Sequence, residues 1–195
     1  MSLLFVLSLF FAPVRANLKV AIVGERDDTR VASALEAVQY WNRQLDDLGL
    51  RTRFTPVVVN SRHDTHETLL ARASSSDSAA VAQAVRREFD DVPADVVIVL
   101  ADGEFPSYTL RGDTRGEALV AIRSADSLPL SNANVARNVI AHELGHALGL
   151  EHNGDPRMLM CGRPAPCRPD IFAADRRIFF PLTEEERAQL RRRWR

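Results

Sequence analysis

His142, Glu143, His146, Gly149 and His152 stand in the spacing H-E-x-x-H-x-x-G-x-x-H. On a helix, residues four apart project from one face one turn apart, so His142 and His146 are placed to grip a single ion. The chemistry that suits two such imidazoles is Zn²⁺ binding at ~2.0–2.1 Å. Glu143 directly follows the first histidine, where a carboxylate leans over the metal without binding it, as a general base must. Gly149 offers a left-handed turn that stops the helix and lets His152 return as third ligand. Three protein ligands leave a fourth position for water, the pattern of a catalytic rather than a structural site. Five specified residues coincide by chance in a chain of this composition with odds on the order of 1 in 10⁵.

The elements that must hold these residues follow from the apolar pattern. Ser131 or Asn132 caps the site helix, with Val135, Val139, Ile140 and Leu144 among its packing residues. Upstream, residues 18–24 are apolar and β-branched and predict a first strand. Asp27, Asp28 and Thr29 offer caps for a helix carrying Val31, Leu35, Val38, Trp41, Leu45 and Leu48, which Gly49 ends. Residues 50–60 predict a second strand, in which Pro56 indicates an edge or a bulge. The serine cluster at 74–78 precedes a second helix with Val81, Val85 and Phe89 on one face. Residues 96–100, VVIVL, predict a central buried strand. Strand, helix, strand, helix, strand implies a mainly parallel sheet. Residues 102–116 read as a long glycine-punctuated loop. Thr183 and Glu186 form a capping box for a last helix with Leu190 and Trp194 as its packing stripe.

Composition sets outer limits. The chain has 195 residues, 46% hydrophobic and 26% charged, enough to bury a substantial core in one domain. A net charge of −1 gives no general reason to expect nucleic acid or an anionic membrane as partner. Residues 1–16 predict a cleaved signal peptide: an apolar run too short to span a bilayer, then Val14 and Ala16 at the −3 and −1 positions. Its n-region lacks Lys and Arg, and an incomplete start, a lipid-facing anchor or a buried first strand are the alternatives. On the first reading residues 17–195 form the mature domain, without a stable membrane span and without an inhibitory prodomain, and a secreted or periplasmic monomer is expected. In that setting Cys161 and Cys167, the two cysteines, are expected to close a small disulfide loop. The rival is a thiolate that binds the metal and holds the protein latent.

Residues 141–160, AHELGHALGLEHNGDPRMLM, resemble the metzincin clan of zinc metalloproteases, and most nearly matrixin-like catalytic domains. Met160, eight residues after His152, matches the Met-turn that forms an apolar floor beneath the metal in that clan. The resemblance implies an α/β (α+β zincin) fold: a twisted, mainly parallel sheet with an antiparallel edge strand, an active-site helix, a Met-turn and a C-terminal helix. It places that antiparallel lower edge at residues 118–124, where an extended peptide or protein substrate would add as a further strand. Implied too is peptide hydrolysis, with Zn²⁺ on His142, His146 and His152 acidifying a water whose proton Glu143 takes. A non-catalytic secreted binding domain and a zinc hydrolase of non-peptide amides are the alternatives. Asn153 departs from the small hydroxyl residue that follows the third ligand in matrixins. Asp102, Glu104, Asp113 and Glu117 are conceivable Ca²⁺ ligands but follow no matching loop pattern, so Ca²⁺ is not supported. His63 and His66 faintly resemble the structural-zinc loop of matrixins without its other ligands. Arg111-Gly112-Asp113 reads as a chance tripeptide, and the terminal arginines as a solvated helix end.

Overall fold

Apolar runs become strands, and the two most uniformly apolar ones lie inside the sheet. The structure is a computed structural model that describes residues 17–25, 27–60, 67–75, 79–126, 130–162 and 178–195. In chain order the elements are β1 (Asn17–Gly24), α1 (Thr29–Asp47), β2 (Arg53–Asn60), α2 (Glu67–Ser74) and α3 (Ala79–Arg87). Then follow β3 (Val96–Leu100), β4 (Tyr108–Arg111), β5 (Ala118–Ile122), α4 (Ala133–Ala147) and α5 (Glu184–Trp194). The sheet runs β2-β1-β3-β5-β4, all parallel except β4, which pairs antiparallel with β5 at the edge.

That order corrects one expectation. Residues 118–124 do not form the antiparallel edge: β5, which occupies most of them, lies between β3 and β4 and runs parallel to β3, with Val96 opposite Ala118 and Leu100 opposite Ile122. Every residue of β3 and β5 is buried, as in strands covered on both faces. The edge is β4, four residues within the stretch read as loop, and only partly buried. So short a strand offers too little alternation to be recognised in sequence. The other edge, β2, holds Pro56, a residue that ladders accept at an edge. Helix α2 was likewise not anticipated, since its eight residues are too few to show a helical period.

Alternation along the strands divides the core. Val20, Ile22, Val96, Ile98, Val120 and Ile122 face α1, α4 and α5, while Val23, Val97, Val99 and Leu119 meet Leu70, Val85 and Phe89 from the α2–α3 side. On the first face α1 fixes α4. The fully buried Trp41 donates from Nε1 to the carbonyl of Ala141 at 2.8 Å, one residue before the first histidine. The side chain therefore packs α1 on α4 with its one polar atom satisfied. Arg30 anchors the other end of α1. Buried and ion-paired with its own N-cap Asp28, it donates to the carbonyls of Ala101 and Arg123 at 2.6 Å, just beyond β3 and β5.

Helix α5 closes the layer and serves the end of α4. It starts with the capping box of Thr183 and Glu186. Trp194 Nε1 donates to the carbonyl of Leu148 at 2.9 Å and Gln189 Nε2 to that of Gly149 at 2.9 Å. Two carbonyls that the end of α4 leaves without helical partners are thereby satisfied.

Candidate metal centre

Helix α4 starts at Asn132, whose side chain accepts from the backbone N–H groups of Asn134 and Val135. It ends in a Schellman turn: Gly149, at φ +94°, donates to the carbonyl of His146, and Leu150 donates to that of Gly145. An L-residue resists that φ, and a Cβ at Gly149 would also lie 2.5 Å from Arg193 Nε. The turn does more than stop the helix. It presents the carbonyl of Leu150 to His146 Nδ1 at 2.8 Å. His142 Nδ1 meets the carbonyl of Leu159 at the same distance. With each Nδ1–H given to a carbonyl, both Nε2 atoms carry lone pairs that face each other.

The three Nε2 atoms of His142, His146 and His152 stand 3.1 Å apart pairwise. Donors held ~2.0–2.1 Å from one Zn²⁺ at near-tetrahedral angles lie ~3.3 Å apart, so the triangle fits that ion. Two lone pairs already committed to face each other need a cation between them, which is a second reason for the fit. Among the described residues this is the one cluster of three His, Cys, Asp or Glu able to hold a metal. Burial lowers the His146 pKa, outweighing the raising effect of the Leu150 carbonyl, so its imidazole favours the neutral, ligating form. His142 is buried and His152 exposed, which leaves the cluster open on one side.

Two glycines outside the motif reading make this packing possible. A Cβ on Gly162 would lie 2.1 Å from His152 Cγ, so the chain after the Met-turn lies against that imidazole. A Cβ on Gly145 would lie 2.4 Å from Met160 Sδ, so the fully buried Met160 sits against α4 beside His146.

Asn153, the departure from the matrixin pattern, has a structural role. Its side chain donates to Glu186 Oε1 at 2.6 Å and accepts from the N–H of Asp155 at 2.9 Å. Its backbone bridges Met160 and Gly162. Glu186 also accepts from the N–H of Thr183, so one buried carboxylate joins the α5 cap to the residue after His152. Residues 178–180 are held in a similar way. Asn138, fully buried in α4, donates to the carbonyl of Ile178 and accepts from the N–H of Phe180.

Glu143 is 6% exposed. Its Oε2 lies 2.7 Å from Thr109 Oγ1, and that hydroxyl lies 2.9 Å from the Glu143 carbonyl. Thr109 belongs to β4, and nothing in the sequence around it links it to a helix 34 residues away.

The weaker candidates are placed elsewhere. Asp102 lies 3.3 Å from Arg30, Glu104 pairs with Arg123, and Glu117 pairs with Arg86 at 2.6 Å. The Thr114 hydroxyl beside Glu117 holds that carboxyl below its ordinary pKa. Arg111 of the Arg-Gly-Asp tripeptide pairs with Glu151, next to His152, at 2.7 Å. Cys161 is buried beside Met160, while Cys167, His63 and His66 lie outside the described residues, and so does the expected disulfide with its partner.

Known proteins bear on the whole arrangement. The chain is similar in fold to archaemetzincin from Methanopyrus kandleri, at a TM-score of 0.54 and 15% identity, over 94% of this chain and 98% of that one. It is also similar to a chain in a chaperone-substrate complex, at a TM-score of 0.52 and 14% identity, over 91% of this chain and 34% of that one. These identities speak for the fold alone. The sequence itself matches the matrixin family model over residues 32–168, a span that contains α4, all three histidines and Met160. The chain belongs to the matrixin family of metallopeptidases.

Proposed function

We propose that the protein is a secreted or periplasmic zinc endopeptidase in which His142, His146 and His152 hold the metal and Glu143 is the general base. The observation that carries the reading is the 3.1 Å triangle of Nε2 atoms with the Glu143 carboxylate on the same helix, one residue from His142. Zn²⁺ held there supplies a Lewis acid that polarises a peptide carbonyl and acidifies water toward neutral pH. The chain's own residues do the rest. Glu143 accepts a proton from the attacking water and returns it to the leaving amine, a role that needs a carboxylate in reach but not coordinated. His142 and His146 keep their Nε2 atoms aimed inward through the carbonyls of Leu159 and Leu150.

The substrate is an extended peptide laid along β4. Gly112 N–H donates to Glu117 O at 2.6 Å, and narrow and wide pairs alternate along an antiparallel ladder. Counting back through the register, Leu110 and Tyr108 turn their main chain toward β5, and Thr109 and Arg111 turn theirs outward. Main-chain pairing at this edge confers affinity with little side-chain selectivity. Export rests on the apolar stretch at residues 1–16 as a signal peptide. A Cys161–Cys167 disulfide belongs to the same reading and would contribute roughly 2–3 kcal/mol. No helix among the described residues is long and apolar enough to cross a membrane.

The test is metal add-back. Protein stripped by chelator is titrated with Zn²⁺ and assayed on a broad peptide library. Cleavage within peptides should return and saturate near one equivalent. Full zinc occupancy without cleavage of any peptide would replace the peptidase by a binding domain on the same fold.

A further inference from the structure

Thr109 belongs to the edge strand and to the catalytic helix at once. Its main chain turns to the outer side of β4, by the alternation given above, and its side chain reaches α4. Oγ1 lies 2.7 Å from Glu143 Oε2 and 2.9 Å from the Glu143 carbonyl oxygen. A hydroxyl has one hydrogen and two lone pairs, so it can donate to only one of these at a time. Donation to Oε2 fixes the carboxylate plane.

We propose that Thr109 is a positioning residue that holds the Glu143 carboxylate against the strand on which the substrate lies, so that base and scissile bond share one frame. The proposal rests on the endopeptidase reading. A threonine that merely packs at this point would be replaced without loss by valine, which keeps the β-branched shape and removes the hydroxyl.

The experiment compares wild type, Thr109→Val and Thr109→Ser, each alone and combined with Glu143→Gln, at one zinc per chain. Thr109→Val should lower kcat about ten- to a hundredfold, the usual range for removing an outer hydrogen-bond partner of an active-site group. KM, zinc content and Tm should stay near wild type, and Thr109→Ser should restore kcat to within a few-fold. With Glu143→Gln present, the valine should cause little further loss, because the two groups act as a unit. A crystal structure of Thr109→Val should show the Glu143 carboxylate turned to another rotamer. The proposal is overturned if valine leaves kcat unchanged, if serine fails to restore it, or if the two losses multiply. Should valine prevent folding, Thr109→Ala is read against Thr109→Ser in the same way. If zinc-loaded wild type cleaves nothing, the endopeptidase reading fails, and the Glu143 rotamer still decides whether Thr109 holds it.

Discussion

The sheet has two edges, and they differ in what stands behind them. At β2, Val57 and Val58 are 56% and 42% exposed, and Pro56 has no N–H to offer. At β4, Thr109 reaches Glu143 and Arg111 reaches Glu151, so the strand is tied to both the motif helix and the loop carrying His152. Either edge offers main-chain groups to an added strand. Only β4 joins that offer to residues able to do chemistry. An edge becomes a substrate site through the side chains that connect it to a reactive group, and its apolar character is no guide.

If that contrast holds, lesions on the two sides have unequal effects. The largest effect is expected from His146→Ala, which removes one corner of the triangle: elemental analysis should find zinc well below one equivalent and cleavage should vanish. Zinc retained near one equivalent would remove His146 from the ligand set. Next comes Gly162→Ala, whose Cβ would displace the His152 ring and should weaken zinc binding about ten- to a hundredfold by competition with a chelating dye. Gly154→Ala is its control, because a Cβ there meets nothing within 4 Å. Equal zinc affinity in the two variants would mean that the close approach of Gly162 is not needed.

Stability separates a core position from the β2 edge. Trp41→Ala removes a fully buried ring and its bond to Ala141, and should cost ~3–5 kcal/mol in denaturant unfolding. The smallest effect is expected from Val58→Thr at the β2 edge: ~0.5 kcal/mol or less, with kcat unchanged. A marked loss of activity from that change would break the contrast between the edges.

The sequence made legible whatever is written within a few residues. The 142–152 spacing, the Gly149 turn, the Thr183–Glu186 box and the apolar 96–100 run each carry their own signal, and each appears in the structure as read. Contacts between distant segments were not legible. β4 is four residues long and hidden among glycines and charges, whereas the resemblance places the edge at 118–124, a stretch whose strand, residues 118–122, lies inside the sheet. Gly145 and Gly162 look like ordinary loop or helix glycines until Met160 and the His152 ring are seen packed on them. Asn153 looked anomalous because its partner, Glu186, lies 33 residues on, where the sequence shows only a helix cap. Thr109 gave no local sign at all.

The most direct test of the central claim is the rate at which Glu143→Gln cleaves an unfolded protein, measured beside wild type at equal zinc occupancy. Glutamine keeps the shape and loses the proton acceptor. The account predicts wild-type zinc content and turnover reduced by at least ~10²–10⁴-fold, the range for loss of a general base. Equal rates at equal zinc would contradict it, because Glu143 would then not be the base.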